Sequence, residues 1–384
     1  MQQQTERSVS REVSPLELFF DLVFVFAISQ LSMHLLEHLH WRGLAQTLVM
    51  LVGVFGVWSY TSFEVTLTHY THANTQRVML VVMAFGLFMN AAIERAFQDG
   101  ALAFVVPMLL IQIGRTALST IPAAPLSVLR RHYSIMLAWL LMSAPLWIVG
   151  ALVPPAARLW WWAMAAAIDL AGTWLAHPSP GRTLDSENIE FDAEHMLERL
   201  RLFLIIALGE VVLTSGVALA NAPLGLMTVM AGAFALSVIV SLWALYFGGS
   251  DHVVSQHVDR TSNPILAARL AMNGEVVVVA GLIALAVVND VVIAHPDKAL
   301  SPLVAVLMSG GALAYLLVQI WYLRFVTGRY PRSRMFAAAA LLATGAAAPM
   351  LPAVVALGLL ALVLGVLWIV VAREQPEAQE ALSK

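Results

Sequence analysis

The sequence predicts an all-α, polytopic integral membrane protein of about twelve transmembrane helices in two six-helix halves. Composition gives the class: 60% of the 384 residues are hydrophobic and only 12% charged, against about 25% charged in a soluble globular chain. Mean hydropathy is +0.80. Run length gives the span count, because a helix crossing hydrocarbon needs about 17–25 predominantly apolar residues. The distribution of basic residues gives the orientation.

Twelve apolar runs can be placed in order, at 16–36, 43–63, 77–96, 100–118, 132–153, 156–177, 197–219, 223–247, 264–288, 300–323, 335–349 and 351–372. The eleventh is short and alanine-rich, and only Pro349 and Pro352 part it from the twelfth. A count of eleven would merge or lose it. The basic residues favour twelve. With the N-terminus inside, Arg42, Arg95, Arg158 and Lys298 fall outside and the other 17 of the 21 fall inside, the asymmetry that cytoplasmic loops carry. The expected location is therefore the bacterial inner membrane with both termini cytoplasmic. No cleavable leader is read in MQQQTERSVSREVS, and the first span does the targeting.

The predicted organisation is an N-terminal tail (1–14), a first half (15–177), an acidic cytoplasmic linker (178–196), a second half (197–372) and a C-terminal tail (373–384). A weak internal repeat supports the division. Span 2 ends with Trp58, Tyr60, Glu64 and His69, and span 8 with Trp243, Tyr246, Asp251 and His257. An even number of spans separates them, which implies a parallel repeat. Trp160, Trp161 and Trp162 fit an interfacial aromatic belt or ordinary packing.

Span 1 carries Glu17 and Asp21 one turn apart, so both fall in one arc of the helix with Ser14 and Ser32. A carboxylate within hydrocarbon costs about 2.5–3.5 kcal/mol on insertion scales, so that arc is expected to face protein or water. Near the headgroups the same residues would merely snorkel. Gly209-Glu210 and Gly274-Glu275 each fall about 17–18 Å along their spans, close to the midplane. An ionisable side chain at that depth is a functional candidate. The structural alternative is a hydrogen-bonded glutamate joining two helices. The preceding glycine is expected to admit a neighbouring helix in both cases. Toward the cytoplasmic side, Glu198, Arg199, Arg201, Arg115, Arg269 and Arg77 read as one inner charge cluster with Glu17 and Asp21, serving as ion pairs of a gate or as topology anchors.

The run ELFFDLVFVFAISQLS and the string AEHMLERLRLFLIIALGE, Ala193 to Glu210, resemble the bacterial low temperature requirement A family of multi-pass membrane proteins. Arg77, the Ile113–Arg115 triplet, Trp147 with Gly150, and Asp169 also look like family positions, and the resemblance runs from about 14 to 320. Arg201 and Leu202 depart from the pattern, where a smaller or aromatic residue is expected. The resemblance implies the architecture and a role in growth in the cold.

The net charge of −3 excludes a basic nucleic-acid footprint. The absence of cysteine removes thiolate metal sites and cysteine nucleophiles. His34, Glu37, His38 and His40, and separately His69 with His72, have metal-ligand side chains but no closed four-ligand pattern, so no metal and no cofactor is expected. No Walker loop, dinucleotide fingerprint or nucleophile motif is present, so an enzyme is not expected. The expected partners are the lipid bilayer, protons and a small solute or ion. The leading functional reading is a proton-coupled secondary transporter with Glu210, Glu275, Asp21, Glu17 and Asp169 as proton or substrate candidates. An ion channel is the alternative: Phe20-Asp21 loosely resembles the Phe-Ser-Asp motif of lysosomal potassium channels, without its serine and without recurrence in span 7. A non-transporting protein that supports growth in the cold is the third.

Overall fold

The computed structural model describes residues 12–68, 73–120, 128–178, 191–248, 261 and 263–383. The described residues form twelve α-helices: α1 Pro15–Glu37, α2 Trp41–Thr68, α3 Ala73–Ala91, α4 Ala101–Thr120, α5 Val128–Leu152, α6 Pro155–Trp174, α7 Ala193–Asn221, α8 Leu226–Phe247, α9 Pro264–Ala294, α10 Pro302–Thr327, α11 Arg332–Ala347 and α12 Ala353–Ser383. Nine of them are long and apolar enough to cross a membrane, while α3, α6 and α11 fall short. Span 3 stops earlier than its apolar run because the chain turns into a 3₁₀ segment at Ile93–Arg95. The helix of span 12 runs past residue 372 to Ser383. His69, His72, Asp251, His257 and most of the 178–196 segment lie outside the described residues.

Local signals set the helix starts. Ser14 caps α1 in a capping box, its hydroxyl accepting from Glu17 N while the Glu17 carboxylate accepts from Ser14 N, which satisfies two otherwise orphan donors. Asp192 caps α7 by accepting from His195 N at 2.9 Å. Asn263 and Ser301 do the same for α9 and α10. Short turns join α1 to α2, α5 to α6 and α7 to α8, so consecutive helices run antiparallel. The chain's N-terminal side and most arginines thus share one end of the bundle. At the opposite end Arg158 is buried and donates to the carbonyls of Ala96, Gln98 and Gly150, so this outer arginine ties three segments together. The tryptophan triplet divides: Trp160 points outward, whereas Trp162 is fully buried and donates to Trp147 O at 3.0 Å.

The two sets of six helices follow one pairing scheme. In the first, α1 packs on α2 and α3, α2 on α6, α3 on α4, α4 on α5, and α5 on α6. In the second, α7 packs on α8 and α9, α8 on α12, α9 on α10, α10 on α11, and α11 on α12. The seam between the sets is made by α1 against α7 and α9, with α2 and α6 also touching α9. Helix α9 is buried on nearly all sides, so any polar side chain it carries faces protein.

Backbones meet most closely where α9 crosses α10. A Cβ on Gly281 would stand 2.6 Å from Gly311 O, and one on Gly311 2.8 Å from Gly281 O. Glycine is what permits this approach. Gly281→Ala should therefore lower thermal stability in detergent by about 1–3 kcal/mol. Gly209→Ala, where nothing lies within 4 Å of the added carbon, should be neutral or slightly stabilising. Equal melting temperatures for the two variants would contradict this packing.

Candidate functional site

The first helical turns of α1 and α7 lie against each other at the arginine-rich end, and their charged side chains meet there. Asp21, Glu17, His195 and Arg199 are each 1% exposed or less. Arg199 Nη2 donates to Asp21 Oδ1 at 2.8 Å, and its Nη1 lies 3.8 Å from Glu17 Oε1. His195 Nε2 lies 2.9 Å from the same Glu17 oxygen. Trp58 of α2 adds an indole N–H to Asp21 Oδ1 at 2.7 Å. The arc inferred for span 1 thus faces protein, and the snorkelling alternative does not hold.

Aromatic rings seal the cluster. The Arg199 guanidinium lies 5.6 Å from the Phe20 ring centroid, within cation–π range. Trp58 packs on Phe203 and Phe55, with centroids 4.4 and 5.2 Å away. Among the described residues Asp21 Oδ2, Arg199 Nε and Arg199 Nη1 have no hydrogen-bond partner, so the network is only partly satisfied there. The two helices contribute in register. Glu17 and His195 are 178 residues apart, as are Asp21 and Arg199, and the caps Ser14 and Asp192 keep the same offset. His195 and Trp58 were not among the charged candidates; the repeated offset between the two capped helix starts is the signal that locates His195.

The other charged candidates do not join this cluster, which corrects the expectation of a single inner group. Arg201 pairs with Glu198 at 3.1 Å across one turn of α7. Arg115 pairs with Glu64 and donates to Tyr60 O at 3.3 Å, within the first six helices. Arg77 is exposed on α3. Arg269 lies in a separate cavity described below. One helix cannot turn all its arginines to one neighbour, and Arg199 and Arg201 are about 200° apart around α7.

Two cavities flank α9. On one side, α7, α8, α9 and α10 enclose a space of about 90 Å³ that includes Glu275, Arg201, Tyr246, Tyr315 and Gln319. Glu275 is 3% exposed, and its Oε1 has no partner among the described residues. The neighbouring polar groups are directed at backbone: Tyr315 donates to Leu242 O at 2.7 Å and Gln319 to Leu245 O at 3.3 Å. Gly274 admits α10 closely, since a Cβ there would meet Val318 Cγ1 at 2.7 Å. Gly209 has no such neighbour, so the expectation of a tight approach holds at Glu275 and fails at Glu210. Glu210 is half-buried on α7 and does not border the Glu275 cavity.

On the other side of α9 a smaller cavity is lined by Asp169, Gln112, Asn273 and Ser59. Asp169 accepts from Trp147 Nε1 at 2.9 Å. Tyr60, Thr173 and Met272 separate it from a larger cavity of about 360 Å³ at the arginine-rich end, into which His132, His177 and Arg269 project. His177 follows α6 with Ala176 in left-handed backbone, φ 49° and 61°, a conformation that costs non-glycine residues energy. Its N–H bonds Gly172 O at 2.6 Å, and its ring hydrogen-bonds Tyr60 OH at 3.0 Å. Burial first, then the nearby His132 and Arg269, hold the His177 imidazole far down at about 3, so it is neutral at pH 7.

The histidines of the first outer turn do not assemble a metal site. His34 stacks on His38 with centroids 4.5 Å apart, and His40 Nδ1 accepts from Gly43 N at 2.9 Å. Among the described residues no group of three or more histidines and acids converges.

Twelve helices, mostly of spanning length and apolarity, around buried ionisable side chains define a multi-pass membrane protein. The chain belongs to the bacterial low temperature requirement A (LtrA) family, whose model matches residues 12–369. The match thus continues beyond residue 320, through α11 and most of α12. The chain is 30% identical over 333 residues to the uncharacterized protein RA0937 of Rhizobium meliloti (strain 1021), covering 83% of this chain and 79% of that protein. No solved structure matches.

A charge stranded in this seam has no water to turn to. Asp21→Asn and Arg199→Gln should each cost about 3–5 kcal/mol, read as loss of folded protein and a lowered melting temperature. The double variant should cost clearly less than the sum. Asp21→Asn combined with Arg201→Gln should be additive, because Arg201 pairs elsewhere. Coupling of Asp21 to Arg201 but not to Arg199 would refute the assignment.

Proposed function

We propose that this chain is a proton-coupled secondary carrier of a small solute in the bacterial inner membrane. The observation that supports this most is Glu275: a carboxyl near the middle of the most enclosed helix, with an oxygen that has no partner among the described residues, beside a cavity that Arg201, Tyr246 and Gln319 also line. A glutamate kept only to join two helices would be expected to hydrogen-bond across them. One that exchanges a proton needs an accessible oxygen and surroundings that penalise its charge. In this reading the Asp21–Arg199 and Glu17–His195 contacts hold the two six-helix sets together at the cytoplasmic end. Opening that end would separate α1 from α7 and require the acids to be neutralised or re-paired. The weak internal repeat and shared pairing scheme fit a carrier in which one set of helices rocks against the other.

The carrier reading predicts that Glu275→Gln yields a folded, inserted protein that moves no protons with solute. Glutamine keeps the shape and hydrogen-bonding capacity but cannot change charge. The measurement is flux in proteoliposomes carrying a pH-sensitive dye, with a panel of organic and inorganic solutes. Full proton movement in Glu275→Gln would refute the role of this residue, and unsaturable voltage-driven ion flux would favour a channel. Orientation has its own test in this cysteine-free chain. A cysteine at position 187 should be labelled from the cytoplasmic side alone and one at position 40 from outside; labelling of 187 from outside overturns the topology.

A further inference from the structure

We propose that the cavity between α2, α5, α6 and α9 at the arginine-rich end binds a small monocarboxylate with an apolar or aromatic body. The space is about 360 Å³, inside the roughly 300–1,000 Å³ typical of small-molecule sites and far more than a monatomic anion needs. Its described lining contains no aspartate or glutamate. Among the described residues the buried Nε of Arg269 has no hydrogen-bond partner, and no carboxylate lies within salt-bridge distance of the side chain. A guanidinium presents a planar fork that matches a carboxylate. Asn263 and His132 add polar side chains to the lining, while Phe63, Leu266 and Met272 add apolar ones.

Charge and shape together narrow the class. With the His177 imidazole neutral, the described lining presents one fixed positive charge, suited to a monoanion and poorly suited to a phosphate dianion. The His177 ring is fixed by three features: its left-handed backbone, the bond from its N–H to Gly172 O, and its contact with Tyr60 OH. Gly172 makes room for it, since a Cβ there would stand 3.1 Å from both Cδ2 and Nε2 of the ring. A strained turn held this way forms a preset wall. Tyr60, Thr173 and Met272 border both this cavity and the smaller one beside Asp169 and Asn273, so a bound molecule would sit next to that smaller space.

The assignment rests on the carrier reading for its physiological meaning, but its test is binding alone. Full-length protein in lipid nanodiscs is titrated calorimetrically with benzoate and with benzamide, its neutral isostere. Benzoate should bind, and benzamide should bind at least about tenfold more weakly. Arg269→Gln should weaken benzoate binding by about tenfold or more, while Arg77→Gln, on the exposed face of α3, should leave it unchanged. Should Arg269→Gln fail to fold, Arg269→Lys keeps the charge without the fork and Leu266→Trp fills the cavity; each should weaken binding several-fold. Failure of wild type to bind benzoate, equal binding of benzoate and benzamide, or unchanged affinity in both Arg269→Lys and Leu266→Trp overturns the site. Benzoate binding that depends on Arg269, together with no proton movement in proteoliposomes, would keep this site and remove the carrier reading.

Discussion

A carboxylate cannot stand alone where water is absent, and the seam between α1 and α7 is built around that constraint. Asp21 is held by Arg199 and Trp58, and Glu17 by His195 and its own helix cap. Each of these contacts fixes something larger than itself. The cap fixes where α1 begins, the Arg199 bond fixes the height of α1 against α7, and the Trp58 bond fixes the rotation of α2. Buried ion pairs contribute little net stability compared with apolar packing of the same volume, but breaking one is costly. Their effect here is to select one register among many that an apolar seam would tolerate, because a helix slid by one turn would leave one acid and one base of the four without a partner.

The same constraint organises α9. Residues 273 and 275 are separated by about 200° around a helix, and they face different cavities. Asn273 looks toward Asp169 and Gln112, and Glu275 toward Tyr246 and Tyr315. A single central helix therefore divides two cavities, each with one carboxyl side chain in its described lining. Asp169 accepts from the Trp147 indole, whereas Glu275 Oε1 has no partner among the described residues.

The helical membrane class and the helix count were largely legible, since run length reports directly on a bilayer's thickness. The short eleventh run forms a helix of its own, Arg332–Ala347, because prolines end it and alanine does not. What depends on rotation about a helix axis was not legible. The Glu17–Asp21 arc does mark the protein-facing side of α1, but the apolar residues of α7 and α9 are spread around the axis and carry little periodic signal for which side faces a neighbour. That is why Gly209-Glu210 and Gly274-Glu275 read alike although only the second lies against another helix. It is also why six charged residues at similar depth read as one cluster, when they belong to five surroundings. His132 and His177 escaped notice because the turn that brings His177 beneath Tyr60 depends on two left-handed residues that are not glycine.

The offset of 178 residues also bears on why the internal repeat is faint in the sequence. In a parallel two-half arrangement, equivalent residues of α1 and α7 sit at the same depth and face each other across the seam. Were the halves identical there, carboxylate would meet carboxylate, and like charges in low dielectric repel strongly. The equivalent positions must therefore differ and must differ in a complementary way: Glu17 against His195, Asp21 against Arg199. Repetition in the backbone thus demands divergence in the side chains at the positions where the halves touch. A pair of first halves would bring four acids together and a pair of second halves four bases, so the seam specifies one half of each kind.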